Sequence, residues 1–581
     1  VLLTLITPCM QITDAMVQEW LTNPNEFIAG EDGHDSACIT VRASAGKLVA
    51  ALLESHRSET RHAGIFCTKK MLTAASTAEE RENCIWWKYA EVGFLMFGLI
   101  GPNLLAESSK NRRKSAGSLQ LQADLHQIFL QVANRAQSQE TPQFLRARAL
   151  WVFARLSQFV DTHFHEDVPH LLQTTATCMR PESLWPVRMT SCHTLGRFVT
   201  LVKAPSLGQD LLRLGVLTSL FHLLLHSTME ALHVGLVTLH RLAIRCPDIL
   251  CQCAADFTQT IRDVWVREHN DPHVHGKIRE VLRICTLQKA IRDSVEAVFV
   301  PALREILTSK EAEPHLIVVA MDLYGLVVWR ADQPVSDFVW CSVDSMLGAV
   351  LRSLDIFVLQ RCCEPLCVLI QRGSDLIRRH RQQALFISCV VKLLNPQLED
   401  GACLFVGPLV TNMLLQFGPE LGPEVVISTM KALLKRIVAT DMTALQEALV
   451  KVFSHLLLTN FDDTVQVLND VVVDIPDLNT EPAPEDGTRQ VVTSNSNIEQ
   501  DLCNSDFTSV TDRSNKCEHE VPTRCSSFDD NFEPSGLPKR EFTNRTLIFF
   551  RFYESYLTKM VACSLCFHRF DFSSQNSHFC F

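Results

Sequence analysis

The sequence predicts an all-α chain, a solenoid of stacked antiparallel helix pairs. Three observations predict it. Apolar residues recur at helical spacing through most of the chain, and strand-type alternation is nearly missing. Apolar faces restart near Arg148, Arg188, His233, His275, Ile317 and Gln360 and then, after a longer step, near Val426, a period of about 40 to 45 residues. Turn signals such as Cys246-Pro247-Asp248, Asp271-Pro272, Asn395-Pro396 and Gly418-Pro419 separate the units. That period is the one HEAT-type, armadillo-like helix pairs show, and such pairs bury their apolar faces only between copies of themselves.

The clearest unit ends in Ser183 to Val202, SLWPVRMTSCHTLGRFVTLV. Val187, Ser191, Thr194, Leu195, Phe198 and Leu201 fall on one helix face. Pro186 suits a first turn, where its missing N–H is not needed, and the small Ser191 and Gly196 let a neighbouring helix approach. A partner helix is predicted just before it, about Asp167 to Met179, with Asp167 as N-cap and Pro169 in the first turn.

Composition bounds the rest. The 581 residues are 47% hydrophobic and 20% charged, enough for a large core. The formal charge of −11 argues against general nucleic-acid binding and suits a basic partner. Many of the 22 cysteines sit singly in apolar helical patterns, as Cys192, Cys285 and Cys389 do, which predicts buried free thiols in a reducing compartment. The first residue is Val, so an N-terminally truncated chain is expected. Val1 to Met10 lacks the basic region and cleavage site of a signal peptide. No run of 18 uninterrupted apolar residues occurs, and no membrane insertion is expected.

Taken in order, a helix is predicted over Met10 to Asn25, stopping at the Asn23-Pro24 turn. A polar loop with Glu31, Asp32 and Asp35 follows, and a second helix starts near Thr40 with Val41, Leu48, Val49 and Leu52 on one face. Lys110 to Lys114 (KNRRK) reads as a solvated basic loop, with a localisation signal as the alternative.

Three stretches carry a resemblance. Trp20, Pro24 and Phe27 lead into an acidic insertion and then Thr40-Val41-Arg42; Trp86-Trp87-Lys88-Tyr89-Ala90-Glu91 and Phe144-Leu145-Arg146-Ala147-Arg148-Ala149-Leu150-Trp151 follow in register. With the turns at Asn270-Asp271-Pro272 and Leu393-Leu394-Asn395-Pro396, their order resembles the importin-9-like group of β-karyopherins over about Leu3 to Val472. The resemblance implies a nuclear import receptor that shuttles between cytoplasm and nucleus. It would carry basic cargo such as histones or ribosomal proteins, touch Phe-Gly nucleoporins and answer to the GTPase Ran. It also implies that the chain begins inside the family's array, without the N-terminal Ran-binding repeats, and lacks the C-terminal ones. The exposed array ends would then make it poorly soluble. A monomer is expected. Glu31, Asp32 and Asp35 become the candidate cargo- or Ran-contacting carboxylates, although Gly30, Gly33, His34 and Ser36 interrupt a run that is denser in the family.

Three segments are expected: a HEAT array over 1–475, a disordered polar and acidic linker over 476–540, and an atypical Phe/Cys-rich tail over 541–581 outside the fold. In the tail Cys563, Cys566, His568, His578 and Cys580 offer zinc-type donors, but the second pair has irregular spacing for a structural site. His163, His165, Glu166 and Asp167 read as a polar turn, His222 and His226 as boundary histidines of an apolar helix, and His273 to His275 as a solvent-facing helix start. No phosphate loop or nucleophile elbow is present, so no enzyme, metal or cofactor is predicted. The alternative function is a HEAT scaffold organising a multiprotein, phosphatase-like complex.

Overall fold

The structure, a computed structural model, describes residues 2–23, 25, 40–110, 116–203, 206–459 and 464–466. The chain divides into two units, Val1–Pro484 and Glu485–Phe581, and every described residue belongs to the first. The predicted linker and tail therefore lie outside the described residues.

Among the described residues every regular element is helical. A short π-helical stretch, Leu2–Ile6, runs into α1 (Thr7–Cys9). In α2 (Asp14–Thr22) the Thr13 hydroxyl caps the helix by accepting from the Met16 N–H. Thr40 does the same for α3 (Val41–Ser55), accepting from the Ala43 N–H at 3.0 Å.

Paired helices follow. They are α4 (Arg57–Glu80) with α5 (Trp86–Lys110), α6 (Ala116–Gln137) with α7 (Gln143–His163), and α8 (Val168–Cys178) with α9 (Trp185–Leu201). After the short α10 (Leu207–Arg213), α11 (Val216–His226) pairs with α12 (Met229–Arg245), and after α13 (Pro247–Gln252), α14 (Ala254–Arg267) pairs with α15 (Pro272–Cys285). Then α16 (Lys289–Thr308) pairs with α17 (Pro314–Arg330) and, after α18 (Asp337–Trp340), α19 (Val343–Arg352) with α20 (Ile356–Arg379). The last are α21 (Gln383–Leu393) with, beyond α22 (Asp400–Cys403), α23 (Val406–Leu421), and α24 (Pro423–Ala439) with α25 (Thr443–Thr459). The second members pack in file, each of α5, α7, α9, α12, α15, α17, α20, α23 and α25 on the next; α11, α14, α16, α19 and α21 do the same in the first layer. This is the HEAT-type stack of antiparallel pairs that the period predicts.

The unit read most closely from the sequence folds as its pattern requires. Val187, Ser191, Thr194, Leu195 and Phe198 are buried on α9, and Pro186 sits in its first turn. A Cβ on Gly196 would stand 2.8 Å from the Thr238 hydroxyl oxygen of α12, so only glycine permits that approach. The Thr194 hydroxyl donates back to the Leu150 carbonyl at 2.9 Å and Thr238 to Cys192 at 3.1 Å, stitching successive second-layer helices. Cys192, Cys285 and Cys389 are buried free thiols, whose pKa burial pushes up to about 11, 12 and 12.

A cation ladder runs through the first layer. Arg267 of α14 donates to the Leu224 and Ser227 carbonyls at 3.1 and 2.7 Å, at the end of α11. Arg352 of α19 reaches Leu307 of α16 at 3.0 Å, and Lys392 of α21 reaches Val350 and Leu351 of α19 at 3.0 and 2.9 Å. Arg436 of α24 reaches the Asn395 and Leu398 carbonyls, both at 2.9 Å, and Asp400 at 2.6 Å. Each cation supplies donors to carbonyls a helix end leaves unpaired, where the helix dipole also favours positive charge.

Four local expectations are corrected. Asp167 makes no capping hydrogen bond; it closes a 3-10 turn, His165–Asp167, that leads directly into α8. On α3 the buried face is Arg42, Ala45, Val49 and Leu53, while Val41 and Leu48 are exposed, because the helix is rotated to bury the arginine. His275 is buried rather than solvent-facing; its Nε2 lies 3.0 Å from the Glu268 carbonyl. Val426 belongs to the first-layer α24, and the second-layer helix due at that step is α23, whose pattern Gly407 and Pro408 obscure. The stretches Trp86–Ala106 and Asp400–Leu421 are long and apolar enough to cross a bilayer by composition, and here they contribute packed helices to the array.

Candidate functional site

Glu31, Asp32 and Asp35, the predicted contact residues, lie outside the described residues, as do Pro24 and Phe27. The two ends of their segment are placed. Asn25 accepts from the Ala231 N–H at 3.4 Å at the start of α12. Thr40 caps α3, and the residue two places on, Arg42, is fixed in the array.

That fixing point gathers the three stretches that carry the resemblance. Arg42 from Thr-Val-Arg and Arg148 from α7 both donate to Glu91 Oε1 of α5, Arg148 through Nε at 2.7 Å. Arg42 also donates to the Met10 carbonyl. All three side chains are buried, and Glu91 Oε2 has no hydrogen-bond partner. Burial pushes the Glu91 carboxyl up against the pull of Arg42, and it lowers Arg148 to about 9. Beside the triad, the Trp20 and Phe144 rings lie 5.6 Å apart, Trp87 stacks on Phe144 at 6.4 Å, and Lys88 pairs with Asp14 at 2.6 Å. The sequence offers these residues as family marks; their pairing across 49 and 57 positions becomes visible only in the fold.

A second feature had no signal in the sequence reading. Between α16 and α18 a pocket of about 570 Å³ opens on the first layer. Val300 and Pro301 form its apolar floor with Phe338, which is half exposed, and Arg304, Glu305, Thr308, Ser309 and Cys341 rim it. An exposed aromatic beside a proline in a shallow apolar cleft can hold a small apolar or aromatic side chain, with polar groups at the rim to orient its backbone. Pro301 inside a helix and a four-residue α18 carry no periodicity that announces a cleft.

The histidine clusters are structural. His222 and His226 stack at 4.1 Å, and Arg188 Nη2 sits 3.0 Å from His222 Nδ1. Among the described residues no three His, Cys, Asp or Glu side chains converge as a metal site requires. The zinc-type donors of the tail and the basic run after Lys110 fall outside the described residues.

No protein-family profile matches the chain. Among curated proteins it is similar to importin-9 of Drosophila melanogaster, 21% identical over 486 residues, which is 82% of this chain and 46% of that protein. The chain thus spans about half the length of the relative it matches. Among solved structures it is similar to Kap121p bound to Pho4p, at 13% identity and a TM-score of 0.44 over 81% of this chain and 50% of that one. It is also similar to Kap121p bound to RanGTP, at 14% identity and a TM-score of 0.39 over 82% and 58%. Over four fifths of its length, the sequence of this helical array is therefore similar to part of a longer importin.

Proposed function

We propose that the chain acts in nuclear transport as a receptor for basic protein cargo such as histones or ribosomal proteins, moving between cytoplasm and nucleus under the control of Ran. Similarity to importin-9 over 82% of the chain carries this reading. The mechanism is binding by a repeat array rather than bond-making chemistry. The cleft at Phe338, Pro301 and Val300 is assigned to a phenylalanine of a Phe-Gly nucleoporin repeat, a weak contact suited to rapid passage. The carboxylates Glu31, Asp32 and Asp35 are assigned to the lysines and arginines of the cargo, a surface ion pair of this kind being worth about 0–1 kcal/mol.

The test uses the full chain against immobilised Phe-Gly repeats and, separately, a core-histone dimer across a salt series. Retention on the repeats, weakened several-fold by Phe338→Ser, and histone binding that falls steeply with salt are expected. A folded helical chain held by neither would remove the transport reading in favour of a scaffold.

A further inference from the structure

Six arginines occupy equivalent places on six consecutive second-layer helices: Arg155 on α7, Arg197 on α9, Arg241 on α12, Arg283 on α15, Arg330 on α17 and Arg372 on α20. They follow one another at 42 to 47 residues, one per repeat. These helices pack in file, so the arginines form a row across them. Local geometry agrees. Arg241 Nη1 lies 3.0 Å from where a Cβ on Gly196 would stand, beside Arg197. The guanidinium of Arg155 lies 5.7 Å from the Trp151 ring, and that of Arg372 lies 5.6 Å from the exposed Trp329 ring. Arg372 also donates to the Ala331 carbonyl at 3.0 Å, across the junction with α17.

None of the six has an ion-pair partner among the described residues. The carboxylates beside the row are engaged elsewhere: Glu280 with Lys277 at 2.7 Å, and Asp332 with Arg292 and Lys289. Burial lowers the pKa of Arg155, Arg241 and Arg330, and repulsion from an adjacent arginine in the row, Arg197 for the first two and Arg283 for the third, adds to it. A chain of net charge −11 therefore carries, on one face, a line of positive charge with no ion pair among the described residues.

We propose that this row binds an extended acidic polypeptide segment laid across the second-layer helices. The pitch selects the partner. Packed helices stand about 8–10 Å apart, and an extended chain of polyproline-II type advances about 3.1 Å per residue with every third side chain on the same face. A carboxylate at every third residue therefore meets an arginine on every helix, and the six rungs take about 16 residues. A nucleic acid fits less well. Its unbroken phosphates would leave many charges against the acidic remainder of the surface, whereas a spaced peptide places each charge beside a guanidinium. This surface lies on the second layer and is distinct from the Phe338 cleft on the first, and the inference does not depend on the transport reading.

The experiment measures fluorescence anisotropy with the full chain and three labelled probes. One is a 16-residue peptide with glutamate at every third position and Gly or Ser between. The second has the same composition with its glutamates contiguous, and the third is a single-stranded oligonucleotide of equal charge. The spaced peptide is expected to bind most tightly, with affinity falling as salt rises from 50 to 200 mM. Arg197→Glu with Arg283→Glu, both exposed positions, is expected to weaken it by about tenfold or more with helical circular dichroism unchanged. Arg197→Gln with Arg283→Gln should give a smaller loss. Absent peptide binding, or binding indifferent to the charge reversal, would overturn the proposal. So would an oligonucleotide that binds more tightly than the peptide and is lost in the same variant, which would give the row to nucleic acid.

Discussion

The two ends of the array solve one problem in different ways. At α3, α5 and α7, three helices distant in sequence are joined by two arginines on one buried carboxylate. At α19, α21 and α24, neighbours are joined by single cations reaching the carbonyls of the preceding first-layer helix. In the first arrangement charges must be taken out of water, and they are tolerable only because opposite charges are taken with them. In the second the acceptors are backbone groups that the helix already leaves unpaired, so the cation satisfies a need the fold creates anyway. The first is specific and brittle. The second recurs at Arg267, Arg352, Lys392 and Arg436 and can lose one member.

Removing the shared carboxylate should separate the two most sharply. Glu91→Leu removes the buried carboxylate that Arg42 and Arg148 share, and a loss of about 3–5 kcal/mol is expected, read as a lower urea midpoint of unfolding for the full chain. An unchanged midpoint would mean the triad is not a joint. Next comes Arg436→Met, which removes two carbonyl bonds and the Asp400 pair; about 1.5–3 kcal/mol should be lost by the same measurement, less than at Glu91.

Asp322 of α17 lies between these extremes. Burial, opposed by the nearby Arg279 and Arg361, pushes its carboxyl up to about 6 from an ordinary 3.8. A carboxyl raised on folding favours the folded state only while protonated. Stability should therefore fall as pH rises from about 4 to 6 and then level off. Asp322→Asn should remove this slope and raise stability at pH 7.5 by about 1–2 kcal/mol, since part of the gain is offset by the lost attraction to Arg279 and Arg361. Equal unfolding midpoints for the two proteins at pH 7.5 would refute it. Smallest of all, Arg352→Met loses one bond to Leu307, and a drop of about 1 kcal/mol is expected. A loss as large as at Glu91 would erase the distinction drawn between the two ends.

How much of this could be read before the fold was known depends on distance along the chain. The α9 face, its Pro186 and its Gly196 were legible, because helical spacing and close approach are local properties. The capping role given to Asp167 failed because a 3-10 turn continued the chain into α8 without needing a side chain there. Val41 and Leu48 looked like core because they are apolar, yet α3 turns Arg42 inward to meet Glu91. Of the candidate site, only the framing residues Trp20, Thr40 and Arg42 could be followed into the structure.

The sequence by itself determined that the chain is helical, that its units repeat at about 40 to 45 residues, and that it resembles importins. These follow from periodicity and motif order, which are written along one line. The tertiary structure alone decided which charges meet, where the Phe338 cleft opens, and that six arginines one repeat apart stand in a row. In a repeat stack the neighbours of a side chain lie one unit away in sequence, and only the packing of helices side by side turns that separation into contact.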